Sequence, residues 1–133
     1  MSIKFLRTLL LLSMTMVILA ACSSSTSGGR DQDPKDVKVE LLTEGVQVKA
    51  GEETIIEVEI TGLMDAENSD VQFEIRRSDN KSLPDLIKEV ESLSEGIYTA
   101  SYTFKKIAKY DVYVHIYNED LHITKKKPLE VTG

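Results

Sequence analysis

An all-β antiparallel sandwich is the fold class that this sequence predicts, and two observations predict it. From Asp36 onward apolar and polar residues alternate in short runs, and turn-forming residues separate those runs. Side chains of a strand point alternately to opposite faces, so alternation of this kind marks strands with one buried face.

The runs follow in order. Val37, Val39 and Leu41 share one face of the first, which ends at Gly45. After Ala50-Gly51-Glu52, Ile56, Val58 and Ile60 share a face, and Thr54, Ile55 and Thr61 add branched side chains that suit a pleated surface. Val71, Phe73 and Ile75 repeat the pattern, as do Tyr98, Ala100, Tyr102 and Phe104, and then Tyr110, Val112, Val114 and Ile116. Leu121 and Ile123, with Leu129 and Val131 beyond Pro128, complete it. About seven short strands at this spacing predict an immunoglobulin-like sandwich over residues 36–133. Ser82 to Leu93 fits less simply. Leu83, Leu86, Ile87 and Val90 are spaced for a helix with Pro84 in its first turn, yet a sandwich places a crossing edge strand at this point of the chain.

The first residues have another purpose. Lys4 and Arg7 precede the uncharged run from Thr8 to Ala21, and Ala20-Ala21-Cys22 follows. A positive start, a short apolar middle and small residues before the cut are the layout of an export signal over residues 1–21. The run is shorter than the ~20 residues a membrane-spanning helix needs. Leu19-Ala20-Ala21-Cys22 resembles the lipobox of bacterial lipoproteins, which implies that Cys22 receives lipid, palmitate included, and becomes the first residue of the mature chain. Residues 22–35, with Ser23 to Gly29 and then Arg30-Asp-Gln-Asp-Pro-Lys35, have too little apolar surface to order themselves and read as a tether. The expected location is therefore the extracytoplasmic face of a bacterial cell membrane.

Charge and cysteine usage narrow the function. The chain has 16 Lys and Arg against 22 Asp and Glu, a formal charge of −6, and the signal removes two of the cations and none of the acids. So acidic a domain is ill suited to nucleic acid or to anionic headgroups, and the membrane contact is expected through lipid alone, with a protein partner in the cell envelope. Cys22 is the one cysteine, so the domain has no internal disulfide. No free cysteine nucleophile, glycine-rich phosphate loop or H-E-x-x-H spacing occurs, and a non-enzymatic, cofactor-free module is expected. Lys125-Lys126-Lys127 before Pro128 reads as a solvated edge protected from pairing with another chain.

Both histidines lie in Tyr113-Val-His-Ile-Tyr-Asn-Glu-Asp-Leu-His122. With Asn118-Glu119 as a two-residue turn, cross-strand partners have numbers summing to 237, Ile116 faces Leu121, Val114 faces Ile123, and His115 faces His122 on the outer side. Two imidazoles so paired can share a copper or zinc ion, supplemented by Asp111, Tyr113, Tyr117 or Asp120, although two ligands fall short of the three or four a zinc site uses. The same residues also read as an amphipathic stripe that stabilises a hairpin, or, through Tyr113 and Tyr117, as a surface for a partner.

Gly96-Ile-Tyr98, then Phe104, Tyr110-Asp-Val-Tyr-Val-His115, Leu121-His122, Lys126-Lys127 and Val131 resemble the C-terminal half of YtkA-like domains. Val39-Glu-Leu-Leu42, the Gly51 turn and Ala66 to Phe73 fit the N-terminal half more loosely, so the resemblance spans nearly all of residues 37–132. It departs at Ala108, where a glycine is usual before the tyrosine, and at Thr124, near where a methionine often follows the histidine. The resemblance implies an extracytoplasmic, often lipid-anchored immunoglobulin-like module, distantly similar to FixH-type proteins that are associated with respiratory oxidase and copper supply. It also favours a strand over a helix for Ser82 to Leu93.

Overall fold

The computed structural model describes residues 32–119 and 121–133. The expected signal over 1–21, Cys22 and most of the tether lie outside the described residues, as does Asp120. Nine strands are described: β1 Lys38–Leu41, β2 Val48–Lys49, β3 Glu53–Thr61, β4 Asp70–Arg77, β5 Asp85–Ile87, β6 Glu91–Ser94, β7 Ile97–Thr103, β8 Ala108–Asn118 and β9 Leu121–Thr132. A single 3-10 turn, Leu42–Gly45, separates β1 from β2. The strands form two sheets, with orders β1-β3-β7-β6 and β2-β9-β8-β4-β5. These are the layers in which immunoglobulin domains place strands A-B-E-D and G-F-C-C′. The predicted all-β sandwich is the observed fold.

Nine segments stand where about seven were expected, for two local reasons. β2 is a two-residue strand that runs parallel to the end of β9, through Val48 with Val131 and Lys49 with Thr132. The segment Ser82 to Leu93 is the other case. It forms no helix; it is split into β5, paired with β4 in one sheet, and β6, paired with β7 in the other. The chain changes sheet between them, which is the crossing edge that the resemblance favours. A helix would need an apolar face to cover, and Leu83, Leu86 and Leu93 are all exposed.

The core lies between the sheets. Ile56, Val58 and Ile60 of β3 and Tyr98 and Ala100 of β7 face Val71, Phe73 and Ile75 of β4, Val112, Val114 and Ile116 of β8, and Ile123, Leu129 and Val131 of β9. These are the alternating residues of the sequence, brought to the inside as a period of two requires. Thr43 is a buried polar exception in the 3-10 turn. Its hydroxyl donates to the Ile55 carbonyl at 3.2 Å and accepts from the Glu57 amide at 2.7 Å, so the turn is fastened to β3 and the polar atom is satisfied.

At the entry to β8 the Tyr110 hydroxyl donates to the Lys106 carbonyl four residues upstream, at 2.9 Å. This is the tyrosine corner of Greek-key sandwiches. Phe104 lies edge-on to both Tyr110 and Tyr102, with ring centroids 4.8 Å apart in each pair. The ring of Tyr110 thus closes one end of the core while its polar tip ties the β7–β8 connection.

Residues Gln32 to Lys35, assigned to the tether by composition, are seated on the sandwich. Gln32 donates to the Gly62 carbonyl at 3.2 Å and accepts from the Met64 amide at 2.8 Å, and Lys125 donates to the Pro34 carbonyl at 2.9 Å. Val37, just beyond, is 1% exposed. The compact unit accordingly begins at Gln32.

Candidate functional site

The outer face of the β9-β8-β4 sheet holds the polar cluster of interest, because the inward alternation of these strands leaves Glu74 and Arg76 of β4, Asp111, Tyr113, His115 and Tyr117 of β8, and His122 and Thr124 of β9 on the far side. The register of the β8–β9 hairpin decides which of them meet. Partners sum to 239, not to the expected 237: His115 is opposite Thr124, Tyr117 opposite His122, and Ile116 opposite Ile123. Asn118 belongs to the ladder as the partner of Leu121, and the loop starts at Glu119, whose φ is 46°. The cause is tertiary. The Asn118 side-chain amide donates to the Asp65 carbonyl and to the Ser69 hydroxyl, both at 3.0 Å, which holds Asn118 in line as a strand residue. The shift of two in the sum keeps every side chain on its expected face and turns the direct histidine pair into a diagonal one.

The diagonal pair is nonetheless in contact. His115 Nδ1 is 3.1 Å from His122 Nε2 and 3.1 Å from Thr124 Oγ1, and Thr124 Oγ1 is 3.2 Å from His122 Nε2. The ring of Tyr117 lies on that of His122, with centroids 4.3 Å apart and planes 13° apart. His122 and Thr124 are exposed, whereas the His115 side chain is only 12% exposed. His115 is thus not one of two rings standing open to solvent, as the 237 register implied; it is covered by its neighbours.

Behind His115 stands Glu74, which the sequence reading did not single out. Its Oε2 accepts from His115 Nε2–H at 2.9 Å, and its Oε1 accepts from Arg76 Nε–H. Arg76 in turn covers the Tyr113 ring, 4.7 Å from its centroid. Glu74 is buried although it lies on the outer face, because these side chains close over it. The bond from Arg76 is the main reason that its carboxyl sits below the usual glutamate range; burial opposes that shift and the His115 bond adds to it. The carboxylate is therefore ionised at neutral pH, which assigns the proton of a neutral His115 to Nε2 and leaves Nδ1 as an acceptor toward His122 and Thr124.

A pH dependence follows from the sign of that shift. A carboxyl held below its unfolded value adds stability above the ordinary glutamate range, and this contribution disappears as pH falls through the lowered folded value. Stability measured by denaturant unfolding between about pH 5 and pH 3 is expected to fall more steeply in the wild type than in Glu74→Gln. Equal slopes would show that Glu74 does not gain from its partners.

The other sequence candidates are distributed differently. Asp111 lies toward Lys126, at 3.9 Å, and not toward the histidines. Tyr113 is engaged by Arg76, and of the two tyrosines only Tyr117 borders the histidine pair. Lys125 and Lys127 of β9 fall on the inward parity and are half-buried, while among the described residues β9 is paired on its second side only where β2 meets Val131 and Thr132. Inward lysines on such an edge discourage pairing with another chain, and the run is solvated only in part, since Lys126 alone of the three is exposed. Among the described residues, no group of three or more His, Cys, Asp or Glu side chains is placed to hold a metal ion.

No family model and no curated protein matches this chain. Solved structures do. The endo-β-1,4-mannanase from Thermotoga petrophila is similar at a TM-score of 0.50 and 12% identity, over 77% of this chain and 21% of the mannanase, so this chain spans about a fifth of that enzyme's length. The superoxide reductase (neelaredoxin) from Ignicoccus hospitalis is similar at a TM-score of 0.45 and 14% identity, over 72% of this chain and 80% of the reductase. At 12% identity the mannanase likeness is one of strand layout and extends to no activity.

Proposed function

We propose that this chain is an exported lipoprotein whose immunoglobulin-like sandwich serves as a binding or accessory module on the outer side of a bacterial membrane. The observation that carries this reading is Leu19-Ala20-Ala21-Cys22 at the end of an export signal, followed at once by a serine- and glycine-rich stretch. The resemblance to YtkA-like domains supports it. So does the position of the polar cluster, whose His122 and Thr124 are exposed on an open sheet face, where a partner in the envelope has access to them and to Tyr117. Lipid on Cys22 is the membrane attachment in this reading, because the acidic domain has no attraction for anionic headgroups.

Cys22→Ala tests the anchor. Cells fed labelled palmitate are expected to label the wild type and not the variant, and the variant is expected as an uncleaved precursor or as released protein. A variant that stays in the membrane fraction to the same extent as the wild type, with no label on either, would overturn the proposal.

A further inference from the structure

Three donor atoms on the outer sheet face form a triangle with nearly equal sides: His115 Nδ1 to His122 Nε2 3.1 Å, His115 Nδ1 to Thr124 Oγ1 3.1 Å, and Thr124 Oγ1 to His122 Nε2 3.2 Å. Two donors bound to one ion at ~2.0–2.1 Å lie ~2.9 Å apart at a right angle and ~3.3 Å apart at the tetrahedral angle. All three sides fall within that interval. We infer that His115, His122 and Thr124 form a facial N,N,O site for a divalent transition metal, zinc or copper, with Glu74 as the carboxylate that positions His115.

The inference does not rest on the lipid anchor. It deepens the idea of a two-histidine site by supplying a third donor, a hydroxyl, and by naming the group behind the first. A carboxylate that accepts from the distal N–H of a metal-binding imidazole fixes its tautomer and orientation and raises its basicity. Glu74 is so placed: it takes Nε2–H of His115 at 2.9 Å, and Nδ1 is the nitrogen turned to the triangle. Arg76 holds the other Glu74 oxygen, and Tyr117 lies against the His122 ring, so both rings are kept beside the triangle before any ion arrives. The side toward solvent is open through His122 and Thr124, which leaves the remaining coordination positions to water or to a donor from a partner.

Without metal the same atoms satisfy one another by hydrogen bonds. The ring centroids of His115 and His122 are 5.3 Å apart while the nitrogens are 3.1 Å apart, so the two nitrogens lie between the rings and face each other. Binding therefore asks each ring to turn so that its lone pair points out of the triangle, and asks His122 to carry its proton on Nδ1. Both are side-chain adjustments. A neutral hydroxyl as third donor makes the site weaker than a structural zinc site of four charged or nitrogen ligands.

The test uses the full-length chain in detergent, titrated with zinc chloride and separately with copper sulfate, with calorimetry for stoichiometry and NMR of the histidine rings for location. One ion per chain is expected, with both rings shifting together. His115→Ala and His122→Ala should each abolish saturation. Glu74→Gln, which keeps size and removes the charge, should weaken binding by ~10–100-fold, as loss of such a partner carboxylate does elsewhere. Thr124→Val should weaken it and Thr124→Ser should restore it, a rescue that a purely structural threonine would not show. Amide spectra of each variant without metal establish that it is folded. No saturable binding at millimolar metal, or binding that survives His122→Ala, would overturn the site. Cys22→Ala should bind as the wild type does, so failure of the anchor proposal and failure of this one are separately visible.

Discussion

Phe73→Ala is expected to lower the unfolding free energy by about 3–5 kcal/mol, the range for truncating a buried phenylalanine. Phe73 is 0% exposed and lies in β4, where its register partners are Val114 of β8 on one side and Ile87 of β5 on the other. The cavity left by the ring cannot be filled by a simple collapse, since β4 is pinned on both edges by strand pairing. Domains of this size are stable by only ~5–15 kcal/mol, so a large part of the margin would go. The same substitution at Leu86, half-exposed on β5, should cost less than ~1 kcal/mol. Denaturant unfolding at constant slope measures both. A loss below ~1 kcal/mol at Phe73 would mean that β4 is not an inner strand, and the sheet order would be wrong.

Phe73 and Glu74 are neighbours in sequence on opposite faces, and they mark where sequence reading succeeds and where it stops. Inward positions such as Phe73, Val112 and Val114 are legible because burial on one face repeats every second residue. The crossing edge at Ser82 to Leu93 was legible through resemblance more than through pattern, as Leu83, Leu86 and Leu93 stay exposed while only Ile87 and Val90 pack against the core, which leaves no regular burial period to read. Glu74 was not legible. A glutamate between apolar neighbours reads as a solvated outer residue, and only the ladder of β4 against β8 shows that His115, Arg76 and Tyr113 close over it. The two histidines were found because they are the only ones in the chain, and their shared face followed from alternation. Their diagonal placement did not follow. It depends on Asn118 reaching residues 65 and 69, some fifty positions away, and a turn rule applied to four residues has no access to such a contact.

The same kind of distant contact argues for a large effect at Gly62. Gly62 has φ +78°, and a Cβ built on it would lie 2.1 Å from the Asp36 carbonyl oxygen and 2.9 Å from its carbon. Backbone cannot yield as the end of a long side chain can, so Gly62→Ala must push the Asp33–Val37 segment off the β3–β4 connection. With it would go the Gln32 bonds to Gly62 and Met64 and the burial of Val37. The left-handed conformation alone costs a residue with a Cβ ~1–2 kcal/mol. Exposing the Val37 side chain adds ~1.5–3 kcal/mol, for a total of about 2.5–5 kcal/mol. Gly51 separates the two contributions. It has φ +83° with nothing within 4 Å of a built Cβ, so Gly51→Ala should show only the conformational part, ~1–2 kcal/mol. Unfolding midpoints of the two variants, together with amide exchange of Val37 and Lys38, decide the matter. If Gly62→Ala loses no more than Gly51→Ala and Val37 stays protected, the N-terminal segment does not pack against Gly62, and the sandwich would begin at β1 and not at Gln32.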